Sequence, residues 1–117
     1  MKVTNARVCR PLAENIAVCE ILITRVSDPL IIRQVEEELT KFAEKEKFAH
    51  MLLDCSRIKE YSSMFFSMLL RLKKSMEPKA NVRVCCMNGR LRKGFRACKL
   101  DDIIPAYETL QDGLAGH

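Results

Sequence analysis

Three apolar residues in a row, Met51-Leu52-Leu53, run into Asp54-Cys55-Ser56-Arg57-Ile58-Lys59-Glu60, then two adjacent hydroxyls, Ser62-Ser63, and an apolar segment from Met64 to Leu72. No other stretch restricts the fold as much. An uninterrupted apolar triplet suits a strand covered on both faces, as in a sheet that carries helices. The segment after Ser62-Ser63 has the length and spacing of a helix, and serine is a favoured N-cap. Unpaired N–H groups and the helix dipole make such a start a favourable place for negative charge.

The flanking chain extends the pattern. Ile16–Ile23 is almost continuously apolar and branched, which predicts a central strand. Ser27-Asp28-Pro29 is a helix start, and Leu30, Ile31, Val35, Leu39, Phe42 and Ala43 recur at helical spacing to about Lys47. A helix between the strands at 16–23 and 50–55 implies a crossover and a parallel pair. The helix from Ser62 or Ser63 should stop near Met76, ahead of Pro78. Val82–Met87 predicts a strand, Asn88-Gly89 a turn, and Leu91–Cys98 a short helix. Arg7–Cys9 is a weak strand broken by Pro11, Ile103–Tyr107 an edge or terminal strand because of Pro105, and Thr109–Leu114 a last helical turn or two. The expected architecture is α/β, one domain over residues 1–117, with a mixed sheet of four to five strands and helices packed on it.

On these residues the chain resembles the STAS domains, the fold of bacterial anti-sigma factor antagonists. Asp54-Cys55-Ser56-Arg57-Ile58, then Tyr61-Ser62-Ser63, then Leu69-Leu70-Arg71-Leu72-Lys73-Lys74 is similar to that family's central block. Leu100-Asp101-Asp102-Ile103-Ile104-Pro105 is similar to its ending, and the resemblance spans about residues 15–114. It implies that Ser63 is the phosphorylated serine, with Ser62 the second candidate. It also implies that Asp28, Ser62, Ser63, Met64, Phe65 and Ser67 lie on the partner surface. The partner implied is an anti-sigma factor that is a serine kinase of the histidine-kinase-like ATPase type, and a weak homodimer is compatible with the family. Ser62 stands where the family usually has Asp and Phe65 where it usually has Gly; a subgroup with two serines here is closer. The other function the resemblance allows is a non-switching subunit or scaffold, for example the cytoplasmic STAS subunit of a lipid-transport ATPase.

Read from the residues alone, Ser63 is a helix cap, a role of roughly 0.5–2 kcal/mol. Phe65 and Phe66 point about 100° apart on a helix. Phe66, Leu69, Leu70 and the stem of Lys73 make the buried stripe, which leaves Phe65 as the exposed ring, packed at an edge or anchoring a partner. Between Arg71 and Lys99 there are ten Lys or Arg against one acid, Glu77, within a chain of net charge +5. That excess is either a solvated face or a surface for an anionic partner; nucleic acid is disfavoured, since only Phe95 interleaves the basic residues.

Six cysteines show neither Cys-x-x-Cys nor a His at ligand spacing, so no metal site is expected, and buried thiols are the plain reading. Cys85 and Cys86, adjacent in a strand, are expected on opposite faces. His50 and His117 have no evident Ser or Cys to activate, and there is no glycine-rich phosphate loop, so neither an enzyme nor a cofactor is expected. No apolar run approaches a membrane span, and Met1–Arg7 lacks the apolar core of a secretory signal, which points to the cytoplasm.

Overall fold

The computed structural model describes residues 15–116 and the backbone of residues 6–9. The readings at Met1–Asn5, Pro11 and His117, and that of the Cys9 thiol, lie outside the described residues. In chain order the elements are β1 (Ala6–Cys9), β2 (Ile16–Ile21), β3 (Arg25–Val26), α1 (Pro29–Lys45), β4 (His50–Asp54), β5 (Glu60–Tyr61), α2 (Ser63–Met76), β6 (Asn81–Cys85), α3 (Gly89–Ala97), a 3-10 turn at Leu100–Asp102, β7 (Ala106–Tyr107) and α4 (Leu110–Ala115).

The two most apolar segments become neighbours at the centre of a five-stranded sheet, ordered β1-β2-β4-β6-β7. β2, β4, β6 and β7 are parallel, and β1 pairs antiparallel to β2. Burial of Met51, Leu52 and Leu53 to 0% exposure follows from helices on both faces. Alternation divides their environments. Ala17, Cys19, Ile21, Met51, Leu53, Val82 and Val84 face the main core with the apolar stripes of α1, α2 and α3, while Val18, Leu52 and Cys85 face a smaller cluster that includes Leu114 of α4. Each large aliphatic side chain so buried contributes about 1.5–3 kcal/mol.

Two sequence readings are corrected here. The buried stripe of α1 runs through Ile32, Val35 and Leu39, whereas Leu30 is 66% exposed. Leu30 precedes Ile32 by two positions, roughly 200° around the helix, so it cannot share the face. The strand expected over 82–87 ends at Cys85, because Cys86 adopts a left-handed conformation with φ 63°. The alternation stops there, and both cysteines border the smaller cluster.

A second, two-stranded sheet was not foreseen. β3 and β5 pair in parallel, Arg25 with Glu60 and Val26 with Tyr61, and Thr24 O accepts from Lys59 N and Glu60 N at 2.8 and 3.0 Å. An Arg25–Glu60 ion pair at 3.1 Å lies across it. This clip joins the segment leading into α1 to the segment leading into α2, so both helices start side by side. Arg71, bidentate on Glu36 at 2.9–3.2 Å, ties the two helices further along.

Candidate functional site

Asp28 caps α1, its Oδ1 accepting from Leu30 N at 2.9 Å. The chain reaches α2 through a loop fixed at several points. Asp54 Oδ1 accepts from Ser56 N at 2.9 Å, Ile58 N donates to Cys55 O at 3.1 Å, and Asn88 Nδ2 donates to Ile58 O at 2.8 Å. Asn88, read as a turn residue, is the N-cap of α3, its Oδ1 accepting from Leu91 N at 2.9 Å. Tyr61 then donates its hydroxyl to Arg90 O at 3.1 Å, which brings the first turn of α3 alongside the start of α2.

The adjacent serines have different fates. Ser62 is the N-cap of α2 by position, its N–H donating to Val26 O at 3.3 Å, but its hydroxyl is buried and makes no hydrogen bond with any described residue. Ser63, the first residue of the helix, is exposed. It shares an open concavity of about 550 Å³ with Ser27, Lys59, Glu60, Tyr61, Ser62 and Arg90. Glu60 is held by Arg25 at 3.1 Å, whereas neither Lys59 nor Arg90 forms an ion pair among the described residues, so two cations without a counter-ion line the concavity at the positive end of α2. Met64 is 39% exposed, and Ser67 is exposed with its hydroxyl 3.5 Å from Ser63 O.

Phe65 departs from expectation. It is fully buried, as is nearly all of Phe66. The stripe of α2 runs Phe65, Met68, Leu69, Leu72, Met76, one position from where the sequence pattern put it. Phe66 lies on its flank and is covered by other elements: its ring is 5.2 Å from Tyr61 and 6.3 Å from Phe95 of α3. Leu70 and Lys73 are only partly covered. The exposed apolar side chains at the two helix starts are therefore Met64 and Leu30, not Phe65. Of the expected surface residues, Asp28, Ser63, Met64 and Ser67 are exposed, Ser62 is half-buried and Phe65 is in the core.

Much of the basic excess is used within the fold. Arg71 pairs with Glu36, Lys73 with Glu77 and Arg92 with Glu108, Arg83 donates to Gly113 O, and Lys79 donates to Ala43 O and Glu46 O. Arg90, Lys93, Arg96 and Lys99 are exposed without an ion pair among the described residues. His50 opens β4 beside Arg83, in a concavity lined also by Lys73, Glu77 and Tyr107 but by no Ser, Thr or Cys. Partial burial and the Arg83 charge hold its imidazole below the ordinary value, and its Nδ1 has no hydrogen-bond partner among the described residues. Burial above all pushes the thiols of Cys55, Cys85 and Cys86 upward, so as free groups they stay protonated and poorly nucleophilic. No helix among the described residues is long and apolar enough to cross a membrane.

Comparison with known proteins gives a consistent result. The family model described as STAS domain matches residues 14–113. A search of curated protein sequences finds no significant match. Among solved structures, an anti-sigma-factor antagonist (STAS) domain protein from Planctomyces limnophilus superposes with a TM-score of 0.83 at 16% identity, covering 97% of each chain. An anti-sigma factor antagonist from Mycobacterium paratuberculosis gives 0.82 at 16% identity, over 95% of this chain and 91% of its own. The Bacillus cell fate determinant SpoIIAA in its phosphorylated form gives 0.65 at 11% identity, over 95% and 97%.

Proposed function

The chain belongs to the STAS domain family, and from that premise we propose that it is an anti-sigma factor antagonist switched by phosphorylation of Ser63. Unmodified, the surface made by the starts of α1 and α2 binds an anti-sigma factor, a serine kinase of the histidine-kinase-like ATPase type, and so frees a sigma factor. Asp28, Ser63, Met64 and Ser67 form this surface, with Leu30 added by its exposure. Phosphorylation ends the binding, and the kinase, not this chain, handles the nucleotide.

One observation carries the reading: Ser63 is exposed at the first position of α2, in a concavity shared with Lys59 and Arg90, while the neighbouring Ser62 hydroxyl is buried. A phosphoryl group adds nearly two negative charges and three acceptor oxygens. The helix start and two cations favour it there, so the domain keeps its fold. A partner docked over the same surface would have to desolvate the new charge, and releases instead. Met64 and Leu30 are the apolar contacts such a partner covers. That a protein of the same fold, SpoIIAA, has a phosphorylated form supports the reading by analogy.

The second reading is a non-switching subunit, such as the STAS subunit of a lipid-transport ATPase, and it is favoured by Ser62 standing where the family usually has Asp. One experiment separates the two. Protein purified from its native host is analysed by intact mass and peptide mapping across Ser56–Arg71, with pull-down of wild type, Ser63→Ala and Ser63→Asp. A phosphate lost in Ser63→Ala, with partner capture lost in Ser63→Asp, supports the switch. Unmodified protein under all growth conditions, and capture indifferent to Ser63→Asp, leaves the non-switching subunit.

A further inference from the structure

Asp54 ends β4 and Cys85 ends β6, and the two are direct partners in the ladder, so their side chains emerge on the same face. On a regular strand Cys86 would point to the opposite side. Its left-handed φ of 63° returns its thiol to the same region, and one carboxylate oxygen and two sulfurs come within 4.8 Å of one another. That conformation costs a residue with a side chain of the order of 1–3 kcal/mol. The backbone around the group is fixed: Cys55 N donates to Cys85 O at 3.0 Å, Cys86 N to Tyr107 O at 3.1 Å, and Ser56 N to Asp54 Oδ1 at 2.9 Å. The next acid along the row, Glu20, is paired in register with Asp54 and already faces Arg57 at 3.6 Å.

From this juxtaposition we propose that Asp54, Cys85 and Cys86 form a binding site for a thiophilic divalent cation of the zinc class. Two sulfurs and one oxygen suit zinc, whereas calcium and magnesium require oxygen throughout. Zinc–sulfur bonds of about 2.3 Å and zinc–oxygen bonds of about 2.0–2.2 Å put tetrahedral ligand atoms roughly 3.5–3.8 Å apart. Starting from separations of no more than 4.8 Å, the group needs a contraction of at most about 1.3 Å, available from Cys86, which is only half-buried. Water completes the coordination. Binding expels both thiol protons to solvent, since a coordinating thiol is deprotonated outright; the three ligands then carry three negative charges, and with the divalent ion the site keeps the net charge of −1 it had before. The site lies on the face of the sheet that carries α4, opposite the face on which α2 presents Ser63, so it is distinct from the proposed partner surface.

The test is a Co²⁺ titration of the full chain, reduced with a phosphine, followed by displacement with Zn²⁺. The expected result is one equivalent bound, with a thiolate-to-cobalt charge-transfer band that Zn²⁺ abolishes stoichiometrically. Cys86→Ser removes the band. Asp54→Asn weakens Zn²⁺ binding at least about tenfold, the lower end of what even outer-shell partners contribute. Cys98→Ser, at an exposed cysteine outside the group, leaves both unchanged. Circular dichroism establishes that each variant is folded. Absence of the band in wild type, its survival in folded Cys86→Ser, or its loss in Cys98→Ser overturns the proposal.

Discussion

Replacing Phe65 with alanine distinguishes a core residue from a partner anchor. The ring is 0% exposed, at the head of the stripe that α2 lays on the sheet, and it packs 6.0 Å from Phe66. Truncating a phenylalanine at such a site removes its transfer free energy and leaves a cavity, together about 3–5 kcal/mol. A domain of this size has only about 5–15 kcal/mol in all. At about 2.1 cal/mol/K per residue the unfolding entropy of 117 residues is near 0.25 kcal/mol/K, so the expected fall in Tm is about 12–20 °C. Urea denaturation of wild type, Phe65→Ala and Met64→Ala is the assay, with Phe65→Leu as a milder variant should alanine prevent folding. Met64, 39% exposed, should change stability by no more than about 0.5 kcal/mol while weakening capture of the partner. A loss below about 1 kcal/mol for Phe65→Ala, with reduced partner binding, would refute the packing argument and restore Phe65 to the surface.

Three further outcomes follow from the geometry. A β-carbon at Gly113 would lie 2.8 and 2.9 Å from the two methyl groups of Leu52, which is itself fully buried. Gly113→Ala should therefore destabilise by roughly 1–2 kcal/mol in chemical denaturation, overpacking outweighing the gain in helix propensity. Asp28→Ala removes the cap of α1 and should cost about 0.5–2 kcal/mol, with Asp28→Asn close to wild type, read from denaturation midpoints. His50 titrates below its ordinary value of 6.5 in the fold, so the unfolded chain binds the proton first as pH falls through that value. Its contribution to stability is complete above the unfolded value and declines below it; His50→Gln should flatten that part of the decline between about pH 7 and about pH 5, measured as denaturation midpoints across the range.

What could be read from the sequence was what local pattern decides. Met51-Leu52-Leu53 could only be doubly covered, Asp28-Pro29 could only open a helix, and the order of apolar segments left few topologies. The misreadings come from what lies outside a single element's pattern: covering segments, pairings too short to show a period, and one backbone conformation. Phe66 owed its place in the expected stripe to an α2 considered alone; in the fold Tyr61 and Phe95 cover that flank, and the stripe shifts to Phe65. The β3–β5 clip is two residues long on each side and has no periodicity to detect. Arg90 counted as one of ten basic residues until the Tyr61 hydroxyl, bound to its carbonyl oxygen, brought it beside Ser63. Cys86 was placed on the wrong side because a single left-handed residue cancels alternation.

The contrast between Ser62 and Ser63 has a further consequence for the switch. The α2 start is held by the Ser62 N–H on Val26 O and by the buried Phe65 and Phe66 rings, whereas the exposed Ser63 contributes nothing to the core. Charge added at Ser63 acts on the helix start and on Lys59 and Arg90, where it is neutral or favourable by about 0.3–1 kcal/mol. Ser63→Asp should accordingly denature within about 1 kcal/mol of wild type. A larger loss would mean that the Ser63 hydroxyl is not free of the fold, and Ser63 would have no structural claim to be the modified residue. With stability so preserved, modification at Ser63 alters what the surface binds while leaving intact the fold that presents it.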